Sequence, residues 1–90
     1  MHRILVKTAK EIAEDGTAYI YSYSILVEGI DTGGFSCESY GVQVTGEHDG
    51  ESVAVCHVTT DHVRIGALVD LLARNAVSPS TLNDVVEDWL

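Results

Sequence analysis

Apolar and polar residues alternate through the first third of the chain. Ile4, Val6, Thr8, Lys10 and Ile12, and then Tyr19, Tyr21, Tyr23, Ile25 and Val27, recur at every second position. A period of two is the signature of a half-buried strand. Asp15-Gly16 lies between the two runs, a dipeptide suited to a two-residue hairpin turn because both residues tolerate positive φ. With those residues as the turn, Glu14 faces Thr17, Ile12 faces Tyr19, Val6 faces Ile25 and Ile4 faces Val27. A helix over residues 4–14 is the competing reading, since Leu5, Ala9, Ile12 and Ala13 also share a helical face. The β-branched Ile4 and Val6 and the missing cap residue argue against it.

Residues 28–34, Glu-Gly-Ile-Asp-Thr-Gly-Gly, read as a glycine-rich loop. Two further strands follow, separated by the polar turn Gly46-Glu47-His48-Asp49-Gly50. Pairing Val44 with Val53 sets Val42 opposite Val55 and Tyr40 opposite His57. At Thr59-Thr60-Asp61 the period changes to 3.6, and Ile65, Leu68, Val69, Leu72 and Ala76 form one helical stripe. Thr60 or Asp61 is placed to cap this helix, and Asn75 to end it in a left-handed conformation. Ser78-Pro79 then begins a second helix, with Leu82, Val85, Val86 and Trp89 on its apolar face. The expected fold is therefore α+β in one domain, 1–90: a four-stranded antiparallel meander, then two helices on one sheet face. The strands are expected at about 3–14, 17–28, 35–45 and 52–60, and the helices at about 61–75 and 79–89.

Covering one face leaves the other to be explained. Leu5, Ala9, Ala18, Ile20, Ser22, Leu26, Ala54, Cys56 and Val58 are expected there, a more apolar set than a solvated face needs. Leu5, Ile20, Leu26 and Val58 mark it as an interaction surface, for a protein partner or a second copy of the chain.

Charge narrows the choice of partner. The formal net charge is −9 over 90 residues, and the stretch from Glu11 to Val63 holds ten carboxylates with no lysine or arginine. Phosphate backbones and anionic membranes are repelled by such a surface, so neither nucleic acid nor membrane is an expected ligand. No apolar run approaches a bilayer span or a signal-peptide core, which makes the cytoplasm the expected compartment. Cys37 and Cys56, with no Cys-x-x-Cys spacing, are expected as free thiols in or near the core.

The candidate chemistry is thin. His57 sits beside Cys56, but neighbouring strand residues point to opposite faces, so a structural histidine bonded to Tyr40 is the expectation. His48, His57, His62 and the two cysteines lack the spacing of a zinc site. Gly29 to Gly34 lacks the lysine and following helix of a phosphate loop. Tyr19, Tyr21 and Tyr23 lack the basic neighbours of an RNA-binding sheet. Asp84, Glu87 and Asp88 read as a solvated helix face. No catalytic, cofactor-binding or metal-ligating set emerges. A non-enzymatic interaction module leads; an acidic inhibitor or nucleic-acid mimic on a basic protein comes second, and a small enzyme using His57 third.

The final segment, Asn75-Ala-Val-Ser-Pro-Ser-Thr-Leu-Asn-Asp-Val-Val-Glu-Asp-Trp-Leu90, resembles a family of small uncharacterised proteins of anaerobic Gram-positive bacteria. Members end in a similar Asn-x-Val-Ser-Pro segment, followed by Leu-x-Asp-Val-Val-Glu-Asp and an aromatic residue. Thr59-Thr60-Asp61 and Tyr40-Gly41-Val42 resemble the same family, so the likeness covers about the last half of the chain. It implies a bacterial cytosolic origin. No functional residue is carried over.

Overall fold

A computed structural model describes residues 2–47 and 50–90, with the side chains of residues 30–32 and 35–37 outside that description. Four strands, β1 (His2–Ile12), β2 (Ala18–Thr32), β3 (Phe35–Gly46) and β4 (Ser52–Thr59), precede α1 (His62–Arg74) and α2 (Leu82–Trp89). The strands lie in the order β1-β2-β3-β4 and every pairing is antiparallel. This is the expected α+β meander with two terminal helices, and strand over residues 2–12 removes the helical alternative. At about 3.4 Å per residue, the fifteen residues of β2 span roughly 50 Å, which accounts for the molecule's 55 Å long axis.

The first hairpin departs from the expected register by one residue. Ala13 N–H donates to Thr17 O and Gly16 N–H to Ala13 O, so the loop holds three residues rather than two. Gly16, at φ 88°, supplies the left-handed residue that ends such a loop. Asp15 stabilises it by accepting from Thr17 N–H at 2.9 Å, a bond that also lowers its carboxyl pKa. Ile12 therefore pairs with Ala18, Glu11 with Tyr19, Ala9 with Tyr21 and Lys7 with Tyr23. A one-residue slip exchanges the faces. Lys7, Ala9 and Glu11 join the tyrosine side, while Thr8, Lys10 and Ile12 turn to the other. An irregularity between Leu5 and Lys7 shifts the pairing again, giving Ile4 with Ile25 and Leu5 with Ser24.

The glycine-rich stretch is mostly strand. β2 runs through Thr32, which pairs with Phe35, and the reversal is confined to Gly33-Gly34 at φ 55° and 96°. Two consecutive positive φ values are what a type I′ turn requires. Of the next turn, Gly46 N–H donates to Glu51 O; His48 and Asp49 lie outside the described residues.

α1 buries Ile65, Leu68, Val69 and Leu72, as its periodicity predicts. Asp61 is the cap, accepting from Val63 N–H at 2.9 Å. The left-handed residue that follows the helix lies one position later than expected, on Ala76 (φ 47°) and not on Asn75 (−98°). Asn75 instead donates its side-chain amide to Leu71 O, and Val77 N–H closes the turn on Leu72 O. Ser78-Pro79 begins a short 3₁₀ turn over Pro79–Thr81, without a side-chain cap, before α2. Leu82 and Val86 of α2 enter the core, and Trp89, partly buried against it, lies under Arg64 at 4.6 Å.

Tyr21, Tyr23, Val42 and Val44 meet these helices in one cluster, with Tyr19, Ile25, Tyr40, Val53, Val55 and Val58 at its margin. Tyr23 is fully buried and donates its hydroxyl to Val77 O at 2.9 Å, fastening the sheet to the segment between the helices. Burial, with the nearby Tyr21 and Glu11, pushes its pKa from 10 up to about 12. The folded state therefore holds a proton that the unfolded chain releases near pH 10, so this stabilisation is complete below pH 10 and fades as pH rises through 12. Tyr23→Phe is expected to cost about 1–2 kcal/mol at neutral pH by leaving Val77 O unpaired. Its urea midpoint should also fall less than that of the wild type between pH 9 and pH 11.5.

Candidate functional site

The face away from the helices is built by the other half of each strand, and its chemistry is mainly hydroxylic. Gln43 donates to Ser52 at 2.7 Å, Thr45 and Ser52 share a bond at 3.1 Å, and Ser22 donates to Glu47 at 2.8 Å. Ala9 and Val58, expected on this face, pack instead against the helix-side core. The one-residue slip of β1 accounts for Ala9. A bulge in β4 accounts for Val58.

That bulge is the most distinctive local feature. Val42 pairs with Val55 and Val44 with Val53 as expected, but Tyr40 pairs with Thr59 rather than His57. Extra β4 residues therefore stand opposite Gly41. A β-carbon on Gly41 would run into Val55 O and come within 2.9 Å of Cys56 Cα. The missing side chain is thus the space through which β4 crosses. His57 takes the strain, with φ at 55°, and its ring turns away from Tyr40 to the open face. There Nδ1 lies 3.0 Å from Ser39 Oγ and Nε2 lies 3.1 Å from Glu28 Oε2. Glu28 and Ser39 are direct cross-strand partners, so one ring ties β4 to β3 and β2.

In the neutral ring, Nε2 donates to the carboxylate, leaving Nδ1 to accept from the serine hydroxyl. A hydroxyl on an imidazole oriented by a carboxylate is the arrangement that activates a serine. Ser39, however, is only 4% exposed, whereas the His57 and Glu28 side chains are 53% and 40% exposed. The cluster therefore presents imidazole and carboxylate to solvent and keeps the hydroxyl inside as a cross-strand tie. Tyr40 bonds elsewhere, to Glu38 Oε2 at 3.4 Å; burial and that carboxylate raise its pKa. Cys56, expected near the core, is an exposed free thiol. The side chain of Cys37 lies outside the described residues. Among those residues, no three His, Cys, Asp or Glu side chains gather as a metal site.

The expected apolar surface divides unequally. Leu5 is 63% exposed and Ile20 36%, while Leu26 is buried at 7% and Val58 faces the core. Exposed apolar side chains collect instead along β1: Ile4 at 53%, Leu5, Val6 at 40% and Ile12 at 65%. β1 is an edge of the sheet, so backbone donors and acceptors on its outer side have no neighbouring strand. It also carries Arg3, Lys7 and Lys10, three of the five basic residues of the chain, against one carboxylate, Glu11. Lys7 reaches α1 to pair with Asp70 at 2.6 Å, a contact that lowers the Asp70 pKa. Beside this pair, a recess of about 440 Å³ lies along the edge, lined by Lys7, Thr8, Asp70, Ala73 and Arg74. Sequence alternation missed the concentration on β1, because it assigned Ile4, Val6 and Ile12 to the covered face.

No described helix is long and apolar enough to cross a membrane. No curated protein and no solved structure matches the chain significantly. A family model described as "Family of unknown function (DUF6514)" matches residues 2–90, and the chain belongs to that family.

Proposed function

We propose that this protein is a non-enzymatic interaction module of the bacterial cytoplasm whose docking element is the β1 edge. The carrying observation is an eleven-residue edge strand on which Ile4, Leu5, Val6 and Ile12 are all more than a third exposed. Such an edge offers a ladder of backbone hydrogen bonds to an added strand, with alternate side chains gripping it from both faces. Positive charge on β1 favours a polypeptide partner bearing carboxylates there, while the acidic remainder repels nucleic acid and anionic lipid. Ile20, exposed on the open face near the same edge, extends the surface.

A photo-crosslinking amino acid replacing Ile12 tests the reading in the native cells, with the same group at Val63 of α1 as control. Both positions are equally exposed, at 65% and 67%. A defined polypeptide adduct, identified by mass, is expected from position 12 and not from 63. No adduct from position 12, or the same adducts from both, would remove the edge as the docking element.

A further inference from the structure

The β1 edge is self-complementary in one register, and we infer that its occupant is a second copy of this chain. The inference rests on β1 being the docking edge and adds the partner and the pairing. Two β1 strands related by a two-fold axis normal to the sheet run antiparallel. Residues directly opposite one another must then point to the same face, so the axis passes between one residue and its own copy. The regularly paired run Lys7–Ile12 lies beyond the irregularity near Val6 and is the longest uninterrupted stretch of this edge.

Within that run the central positions separate cleanly. An axis at Ala9 places Lys7 opposite the partner's Glu11, and by symmetry Glu11 opposite the partner's Lys7. Both residues lie on the helix side, so two opposite-charge pairs form across the seam. Thr8 then faces the partner's Lys10 on the open side, and Ala9 meets its own copy with the smallest side chain of the strand. Ile12, 65% exposed, arrives beside the partner's Val6, itself 40% exposed. An axis at Lys10 would instead set Lys10 against its own copy. An axis at Thr8 would leave Lys7 opposite the partner's Ala9 and Glu11 opposite the partner's Leu5. Only the Ala9 register satisfies the charges.

Two copies of β1 bring six cations and two carboxylates to the seam, and the Ala9 register sets each of those carboxylates against a cation. Lys7 already holds Asp70, but an ammonium has three donors and can donate to the partner's Glu11 as well. Closure of the two edges gives one eight-stranded antiparallel sheet, with both helix layers on the same side and the two β1 edges consumed.

Sedimentation equilibrium of the full chain at micromolar concentration, with circular dichroism to verify folding, provides the test. The wild type is expected to be a dimer. Glu11→Lys sets like charges together twice and should weaken the dimer by about tenfold or more. Lys7→Glu should do the same, and the double exchange Lys7→Glu/Glu11→Lys should restore most of the lost affinity. In a Cys37→Ser/Cys56→Ser background, Ala9→Cys should form an intermolecular disulfide on mild oxidation, since opposite β-carbons lie about 4.5–5.5 Å apart. A monomeric wild type, or a Glu11→Lys dimer as tight as the wild type, overturns the inference. If the chain is monomeric while position 12 still crosslinks a different polypeptide, the self-pairing fails and the docking edge survives. Failure of both removes both.

Discussion

Gly41→Ala is expected to destabilise the protein by about 3 kcal/mol, although it adds only a methyl group. The added carbon would press on Val55 O and Cys56 Cα, and these are backbone atoms of the neighbouring strand, with no flexible side chain to move aside. Overfilling a packed site costs roughly 1–3 kcal/mol, and more when the backbone must shift. Here a shift of β4 would also pull His57 from Ser39 and Glu28, adding the loss of two cross-strand bonds. For a domain of this size, about 3 kcal/mol corresponds to a melting temperature lower by roughly 15 °C, measurable by calorimetry. Gly66→Ala is the matched control. Nothing lies within 4 Å of its added carbon, and the site is within α1. The change should be neutral or stabilising by up to about 1 kcal/mol. Equal effects at the two positions would show that the close approach of β4 does not constrain Gly41.

Leu68→Ala is the second large effect, and it works by emptying the core. Leu68 has no exposed surface and belongs to the layer of α1 residues that meets Tyr21, Tyr23, Val42 and Val44. Removing a buried leucine costs about 3–5 kcal/mol, the transfer term plus the residual cavity. Small domains hold roughly 5–15 kcal/mol in total, so half the stability could be lost through this one helix position. Urea unfolding should show a lower midpoint with an unchanged slope. Val63→Ala, on the exposed side of the same helix at 67%, should shift the midpoint little. A Leu68→Ala midpoint close to that of Val63→Ala would contradict the helix-on-sheet packing.

These positions show where sequence reading succeeds. The α1 stripe, the Val44–Val53 pairing, the Asp61 cap and the tyrosine face follow from periodicity and capping chemistry, which act over a few residues. The first hairpin did not, for a definite reason: Asp-Gly serves a two-residue loop and a three-residue loop equally. The choice depends on Asp15 accepting from Thr17 and on which pairing the rest of the sheet accepts. One residue of difference moved Ile12 from the covered face to the open one. The β4 bulge is hidden in the same way. Its one visible sign is an isolated glycine within a strand pattern, which marks a bulge or a close backbone approach. Taken with that sign, Gly41 could have warned that His57 would not face Tyr40. The Ser39–His57–Glu28 cluster joins residues from three strands, and no local spacing encodes it.

The order of the elements along the chain has a consequence for synthesis. During translation the four strands emerge first and zip each onto its predecessor, while α1 and α2 follow. Until α1 leaves the ribosome, Tyr21, Tyr23, Val42 and Val44 have no helix over them. Messages cut short before His62 would therefore yield an adhesive fragment, prey for chaperones and proteases.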